Sequence, residues 1–157
     1  AEDLGFLTDK VYLMLDRCGF PGMKVLQFAF SDGEDNGYLP HNYNKNCVVY
    51  TGTHDNNTLL GYVWEMNDGD RRDVFDYVGN VSGDFSIGVE AIKRTLLASS
   101  APIVIFPIQD IFVYGADTRM NTPGTASANW QYRITKGQLD AVDRKKFRYL
   151  NALYGRA

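Results

Sequence analysis

Three short apolar runs, each of strand length and each followed by a polar turn, constrain the fold of this chain more than any other feature. They lie near 23–30 (Met23-Lys24-Val25-Leu26-Gln27-Phe28-Ala29-Phe30), 47–52 (Cys47-Val48-Val49-Tyr50-Thr51-Gly52) and 102–107 (Pro102-Ile103-Val104-Ile105-Phe106-Pro107). Between them the apolar spacing changes to the helical period over 57–66, 70–78 and 85–98. A helical pattern also precedes the first run, over 9–18, and another closes the chain, over 138–154. Thr8 stands where a helix cap is expected, and Gly19 and Pro21 supply the stop signals. Strands that are apolar throughout are buried on both faces, as in parallel sheets whose crossovers are helices. The fold class is therefore α/β, and its chemistry is expected where strands end and loops begin. The polar pairs Ser31-Asp32, His54-Asp55 and Gln109-Asp110 come directly after the three runs.

Charge and composition narrow the function classes. A net charge of -3 with 22% charged residues offers no basic patch for nucleic acid. No apolar run approaches the ~20 residues that span a bilayer, so no membrane partner is expected. The first residues, Ala1-Glu2-Asp3-Leu4-Gly5, lack an initiator methionine and the pattern of a signal peptide, which predicts a segment cut from a longer cytoplasmic protein. Cys18 and Cys47 have no metal-binding spacing around them and are expected to be reduced, buried thiols. His41 and His54 form no ligand pair, so neither a metal nor a cofactor is expected. There is no G-x-S-x-G and no phosphate loop, which leaves carboxylates as the reactive groups. Glycosidic bond cleavage is the main reaction that carboxylates run unaided. Ten tyrosines and 13% aromatic residues suit sugar stacking and suit an ordinary core equally well.

Two sets of acids stand out. Glu2 and Asp3 precede a helix, where acids also serve simply to complement its dipole. The turn Thr51-Gly52-Thr53-His54-Asp55-Asn56-Asn57 places a His and an Asp at the end of a buried strand. There Asp55 is either a functional carboxylate or a helix cap with a satisfied histidine beside it.

Four stretches belong together: Ala1-Glu2-Asp3-Leu4-Gly5; Pro21-Gly22-Met23-Lys24-Val25-Leu26-Gln27-Phe28-Ala29-Phe30; Tyr50-Thr51-Gly52-Thr53-His54-Asp55-Asn56; and Arg119-Met120-Asn121-Thr122-Pro123-Gly124-Thr125. In this order they resemble glycoside hydrolase family 77, the 4-alpha-glucanotransferases. Tyr38-Leu39-Pro40-His41-Asn42-Tyr43 and Ala128-Asn129-Trp130 add to the likeness. The resemblance implies the C-terminal half of a (β/α)8 barrel of the α-amylase type, with residues 1–157 as a partial catalytic domain and the N-terminal half outside this chain. It implies Glu2 as the acid/base, Asp55 as the transition-state stabiliser and a nucleophilic Asp upstream of residue 1. His54 matches a histidine that hydrogen-bonds the sugar, and Asp3, Phe28, Asp32 and Asn121 fall on substrate-contact positions. At 31–32 the family often carries two acids where this chain has Ser31-Asp32.

The activity that the resemblance implies is transfer of maltooligosaccharide segments between α-1,4-glucans by a retaining double displacement. The alternatives are a non-catalytic glucan-binding or structural fragment, and an amylase-like hydrolase. Residues 1–157 alone are expected to be inactive and to self-associate through uncovered sheet edges.

Overall fold

The computed structural model describes residues 8–156. Among these, three parallel strands form one sheet in the order β1 (Gly22–Val25), β2 (Cys47–Tyr50), β3 (Ile103–Ile105). The register pairs Val25 with Tyr50 and Tyr50 in turn with Ile105, so these side chains share one face. Val49 and its partner Val104 point to the opposite face, where the helices lie. The helices are α1 (Asp9–Cys18), α2 (Leu59–Glu65), α3 (Asp68–Tyr77), α4 (Phe85–Ala98), α5 (Ile108–Ile111), α6 (Lys136–Asp140) and α7 (Arg144–Leu153).

The core lies between β2 and the layer of α2, α3 and α4. Val49, Leu59, Val63, Val74, Val89 and Leu96 are fully buried there. Side-chain caps start most of these helices. Asp84 Oδ1 accepts from Ile87 N for α4 (2.9 Å) and Asn67 Oδ1 accepts from Asp70 N for α3 (3.0 Å). The C-terminal carbonyls of α4 are met by a single guanidinium: Arg156 donates to Leu97 O (2.5 Å) and Ser99 O (2.9 Å), and also to Ala101 O (2.6 Å) at the approach to β3.

Several boundaries differ from the sequence reading, each for a local reason. The run 23–30 is strand only through Val25. It then tightens into a 3₁₀ turn, Leu26–Phe28, in which Ala29 N donates to Leu26 O (2.8 Å). Thr8 precedes α1 but its side chain makes no cap bond; its carbonyl accepts from Val11 N and Tyr12 N instead. Gly19 ends α1 in the left-handed conformation (φ 68°), as its position suggested. The single helix expected over 138–154 is two. Thr135 and Gln138 form a capping box for α6, and Asp143 accepts from Lys146 N (2.9 Å) to start α7 afresh. Cys47 is buried and Cys18 is exposed, so only one of the two free thiols matches the expectation of burial. Cys18 sits in the last turn of α1, a helix with no buried residue.

A polar chain ties the helical layer together. Lys93, 2% exposed, donates to Glu90 Oε1 (2.7 Å) and to Asp110 O (2.8 Å), while Lys146 of α7 donates to Glu90 Oε2 (2.7 Å). Burial pushes the Glu90 carboxyl up, but its hydrogen bonds to Lys146 and Lys93 outweigh that and hold it below its ordinary value. An acid with a lowered folded pKa contributes stability that is present above its ordinary value of 4.5 and lost as the pH falls through the folded pKa. Glu90→Gln leaves Lys93 buried without its carboxylate and should cost ~1–3 kcal/mol at neutral pH. In thermal melts the gap between wild type and Glu90→Gln should be full at neutral pH and narrow steadily as the pH falls below 4.5. A gap independent of pH would show that the carboxylate's charge contributes nothing.

Candidate active site

The loop that leaves β2 carries the two residues of greatest interest. Thr58 is the N-cap of α2, its Oγ1 accepting from Gly61 N (3.1 Å). Asp55 is therefore not the cap of that helix, which removes the simplest alternative for its carboxylate. Its side chain is half exposed, with Oδ1 accepting from Asn121 Nδ2 (2.6 Å) and lying 3.3 Å from His54 Nε2.

A second segment, remote in sequence, is docked on two backbone carbonyls of that loop. Arg119 Nη2 donates to Asp55 O (2.7 Å), Arg119 Nε to Asn121 O (2.8 Å), and Asn121 N to His54 O (3.1 Å). The same segment brings Trp130 over His54, with ring centroids 5.1 Å apart and planes tilted by 35°. Trp130 (φ 61°) and Ala128 (φ 63°) both adopt left-handed backbone, which side-chain-bearing residues take at a cost of about 1–3 kcal/mol. Trp130 is held there by its N–H to Met120 O (2.7 Å) and by Arg133 Nη1 donating to Trp130 O (3.0 Å).

His54, Asp55, Arg119 and Trp130 line a cavity of about 570 Å³ at the C-terminal edge of the sheet, together with Tyr50, Ile105 and Gln109. This is the edge where parallel α/β sheets place their ligands. One rim is a half-exposed carboxylate with an imidazole, and another is an indole face. Such a cavity can accept hydrogen bonds from hydroxyls and stack an apolar ring face at the same time.

Of the residues singled out by sequence, the structure brings His54, Asp55 and Asn121 together. Phe28 and Asp32 are not among the residues lining the cavity. Phe28 packs edge-on against Tyr38 (5.7 Å, 90°), and Asp32 Oδ2 accepts from Ser31 Oγ (3.0 Å). Glu2 and Asp3 lie outside the described residues. Sequence reasoning gave no role to Arg119 or Trp130, although both stand in segments that carry the family resemblance. It noted Gln109-Asp110 only as a polar pair after a strand. Asp110 is 1% exposed: its Oδ2 accepts from Thr51 Oγ1 (2.5 Å) and its Oδ1 from Leu59 N (2.7 Å). Burial raises the pKa of its carboxyl above the ordinary value, against those two hydrogen bonds and the nearby Lys93 charge.

The profile of the 4-alpha-glucanotransferase family, Glyco_hydro_77, matches residues 1–139. The chain belongs to the 4-alpha-glucanotransferase family. It is 44% identical over 158 residues to the 4-alpha-glucanotransferase of Synechocystis sp., covering 99% of this chain and 31% of that protein. It is 42% identical over 144 residues to that of Thermus thermophilus, covering 88% and 29%, and 42% identical over 164 residues to the chloroplastic/amyloplastic 4-alpha-glucanotransferase of Solanum tuberosum, covering 99% and 27%. Its fold superposes on the amylomaltase of Streptococcus agalactiae, solved in complex with acarbose, with a TM-score of 0.91 and 32% identity over 100% of this chain and 32% of that one. The fold is thus that of the amylomaltase (β/α)8 type, seen here as its parallel strands with helices between. The chain spans 27–31% of the length of these three curated relatives.

Proposed function

We propose that this chain is the C-terminal part of the catalytic barrel of a longer 4-alpha-glucanotransferase, which moves maltooligosaccharide segments between α-1,4-glucans. The observation that carries this reading is the placing of Asp55 at the C-terminal edge of a parallel strand, free of helix capping, oriented by Asn121 and flanked by His54. In a retaining mechanism an upstream Asp attacks the anomeric carbon while a protonated Glu2 donates to the leaving oxygen; Glu2 then removes a proton from the acceptor hydroxyl. Asp55 stays ionised and accepts from the sugar hydroxyls as the ring flattens toward an oxocarbenium ion, so it binds the transition state more tightly than the ground state. His54 adds a hydrogen bond to the same sugar, and Asn121 fixes the orientation of Asp55 and reaches the substrate beside it. Asp3, Phe28 and Asp32 are assigned as further substrate contacts. No cofactor or metal is required.

Three further features fit this reading. Ile103 (50% exposed) and Ile105 (42%) stand bare on the face of β3 away from the helices, which in a closed barrel is the packed interior. Tyr12, Leu13 and Met14 of α1 are large apolar side chains left exposed. The acarbose bound by the Streptococcus agalactiae relative supports α-glucans as the ligand class. A cytoplasmic location is in keeping with the two free thiols; among the described residues no helix is long and apolar enough to cross a membrane.

Maltotriose given to the full-length protein should yield glucose and a ladder of longer maltooligosaccharides. Glucose and maltose without a ladder would mean hydrolysis, and no turnover at all would favour a non-catalytic glucan-binding role. Residues 1–157 alone should give no ladder and should sediment as a dimer or larger species.

A further inference from the structure

We infer that Asp110 is a positioning residue for Asp55, one buried carboxylate closing the loop that presents the half-exposed one. β2 ends at Tyr50, Thr51 follows it, and the loop Gly52–Thr58 runs from there into α2 at Leu59. Those two flanking residues donate to the two oxygens of the same carboxylate, Thr51 Oγ1 to Oδ2 (2.5 Å) and Leu59 N to Oδ1 (2.7 Å). Thr58 caps α2 through Gly61 N but leaves Leu59 N, another first-turn donor of the same helix, to be met from across the fold by Asp110. Asp110 is not free to follow the loop. It sits on α5, directly after β3, and its carbonyl accepts from the buried Lys93 Nζ (2.8 Å).

Inside the loop there is little freedom left to absorb a shift at its ends. Gln27 Nε2 donates to Asn57 O (2.8 Å), and a Cβ on Gly52 would stand 2.6 Å from that nitrogen. Asn56 Oδ1 accepts from Thr53 N (2.9 Å). Displacing Thr51 or Leu59 therefore strains the bonds of Asp55 to Arg119 and Asn121, whose segment is also held from outside the loop by Gln109 Nε2 donating to Thr118 O (3.1 Å). A misplacement of about 1 Å in a reacting geometry costs ~10²-fold in rate.

A carboxylate suits the task because it offers two acceptors and no donor, matching two donors. An amide can still meet both partners, accepting from Leu59 N and donating to the Thr51 hydroxyl, whose proton then turns away. Alanine meets neither. Closure of the loop by Asp110 is independent of the glucan-transfer reading; only the kinetic arm of the test rests on it.

The test compares Asp110→Ala, Asp110→Asn and Thr51→Val in the full-length protein, measuring kcat and KM on maltotriose and amide hydrogen exchange over residues 51–60. Asp110→Ala should lower kcat by ~10²-fold while KM changes by less than about threefold, and should speed exchange in 51–60 but not in the β1 or α4 peptides. Asp110→Asn should recover kcat to within about tenfold of wild type. If Asp110→Ala does not fold, Thr51→Val decides, with about tenfold lower kcat and faster exchange confined to the same segment. A folded Asp110→Ala or Thr51→Val protein with wild-type kcat and exchange would overturn the inference. So would an Asp110→Asn enzyme as slow as Asp110→Ala, or exchange that rises throughout the molecule. If wild type transfers nothing, the glucan-transfer reading has failed, and the exchange arm alone decides whether Asp110 closes the loop.

Discussion

Replacing Asp55 by Asn in the full-length enzyme should lower kcat by ~10³-fold, equivalent to roughly 4 kcal/mol of barrier, with the fold intact. Asparagine is nearly isosteric, and its side-chain oxygen can still accept from Asn121 Nδ2, which lies 2.6 Å from Asp55 Oδ1 in the wild type. What the substitution removes is the negative charge facing the cleft. That charge matters most when the sugar ring becomes cationic, so the loss should fall on kcat far more than on KM. Because the side chain is half exposed and does not cap α2, stability should change little. A folded Asp55→Asn protein with near-normal turnover would return Asp55 to an ordinary surface role.

Glu2→Gln should show an effect of similar size that depends on the leaving group. An amide cannot donate the proton that a departing sugar needs, so turnover of maltotriose should fall by ~10²–10⁴-fold, the usual worth of general acid–base catalysis. With a glucosyl fluoride the leaving group departs without protonation, and the first half-reaction should run at close to the wild-type rate. The second half still needs a base to activate the acceptor hydroxyl, so a burst and then slow turnover is the expected trace. Equal losses on both substrates would show that Glu2 is not the proton donor.

The sequence was most legible where one local signal acts alone. The apolar period marked α4 at 85–98, and the period together with the Gly19 stop marked α1 at 9–18. It was less legible where a short-range polar bond overrides the pattern. The apolar periodicity of 138–154 runs on through Asp143, yet that side chain restarts the backbone as a separate helix. The run 23–30 reads as strand throughout, but Asn36 Nδ2 holds Phe28 O (2.8 Å) after the chain has turned at Leu26, a partner eight residues away that no local window weighs.

Within the site the division is similar. His54 and Asp55 were legible because a polar turn after a buried strand is a local motif. Trp130 was not, because its part depends on a left-handed backbone and on a contact made across 76 residues of chain with His54. Asp110 was visible only as a polar residue after a strand. Its two partners, at sequence separations of 59 and 51, appear only once the strands are aligned.

Glucan transfer is measured most directly by the fate of an isotopic label rather than by a rate. Maltotriose and ¹³C-labelled glucose are incubated with the full-length protein, and the products are resolved by mass and by ¹³C NMR. Glucan transfer predicts that the label enters the maltooligosaccharides as their reducing-end unit, joined through an α-1,4 linkage, and that Asp55→Asn nearly abolishes this incorporation. Conversion of maltotriose to glucose and maltose alone, with all of the label left in free glucose and no longer maltooligosaccharide formed, would contradict it, because water rather than a sugar hydroxyl would then be the acceptor.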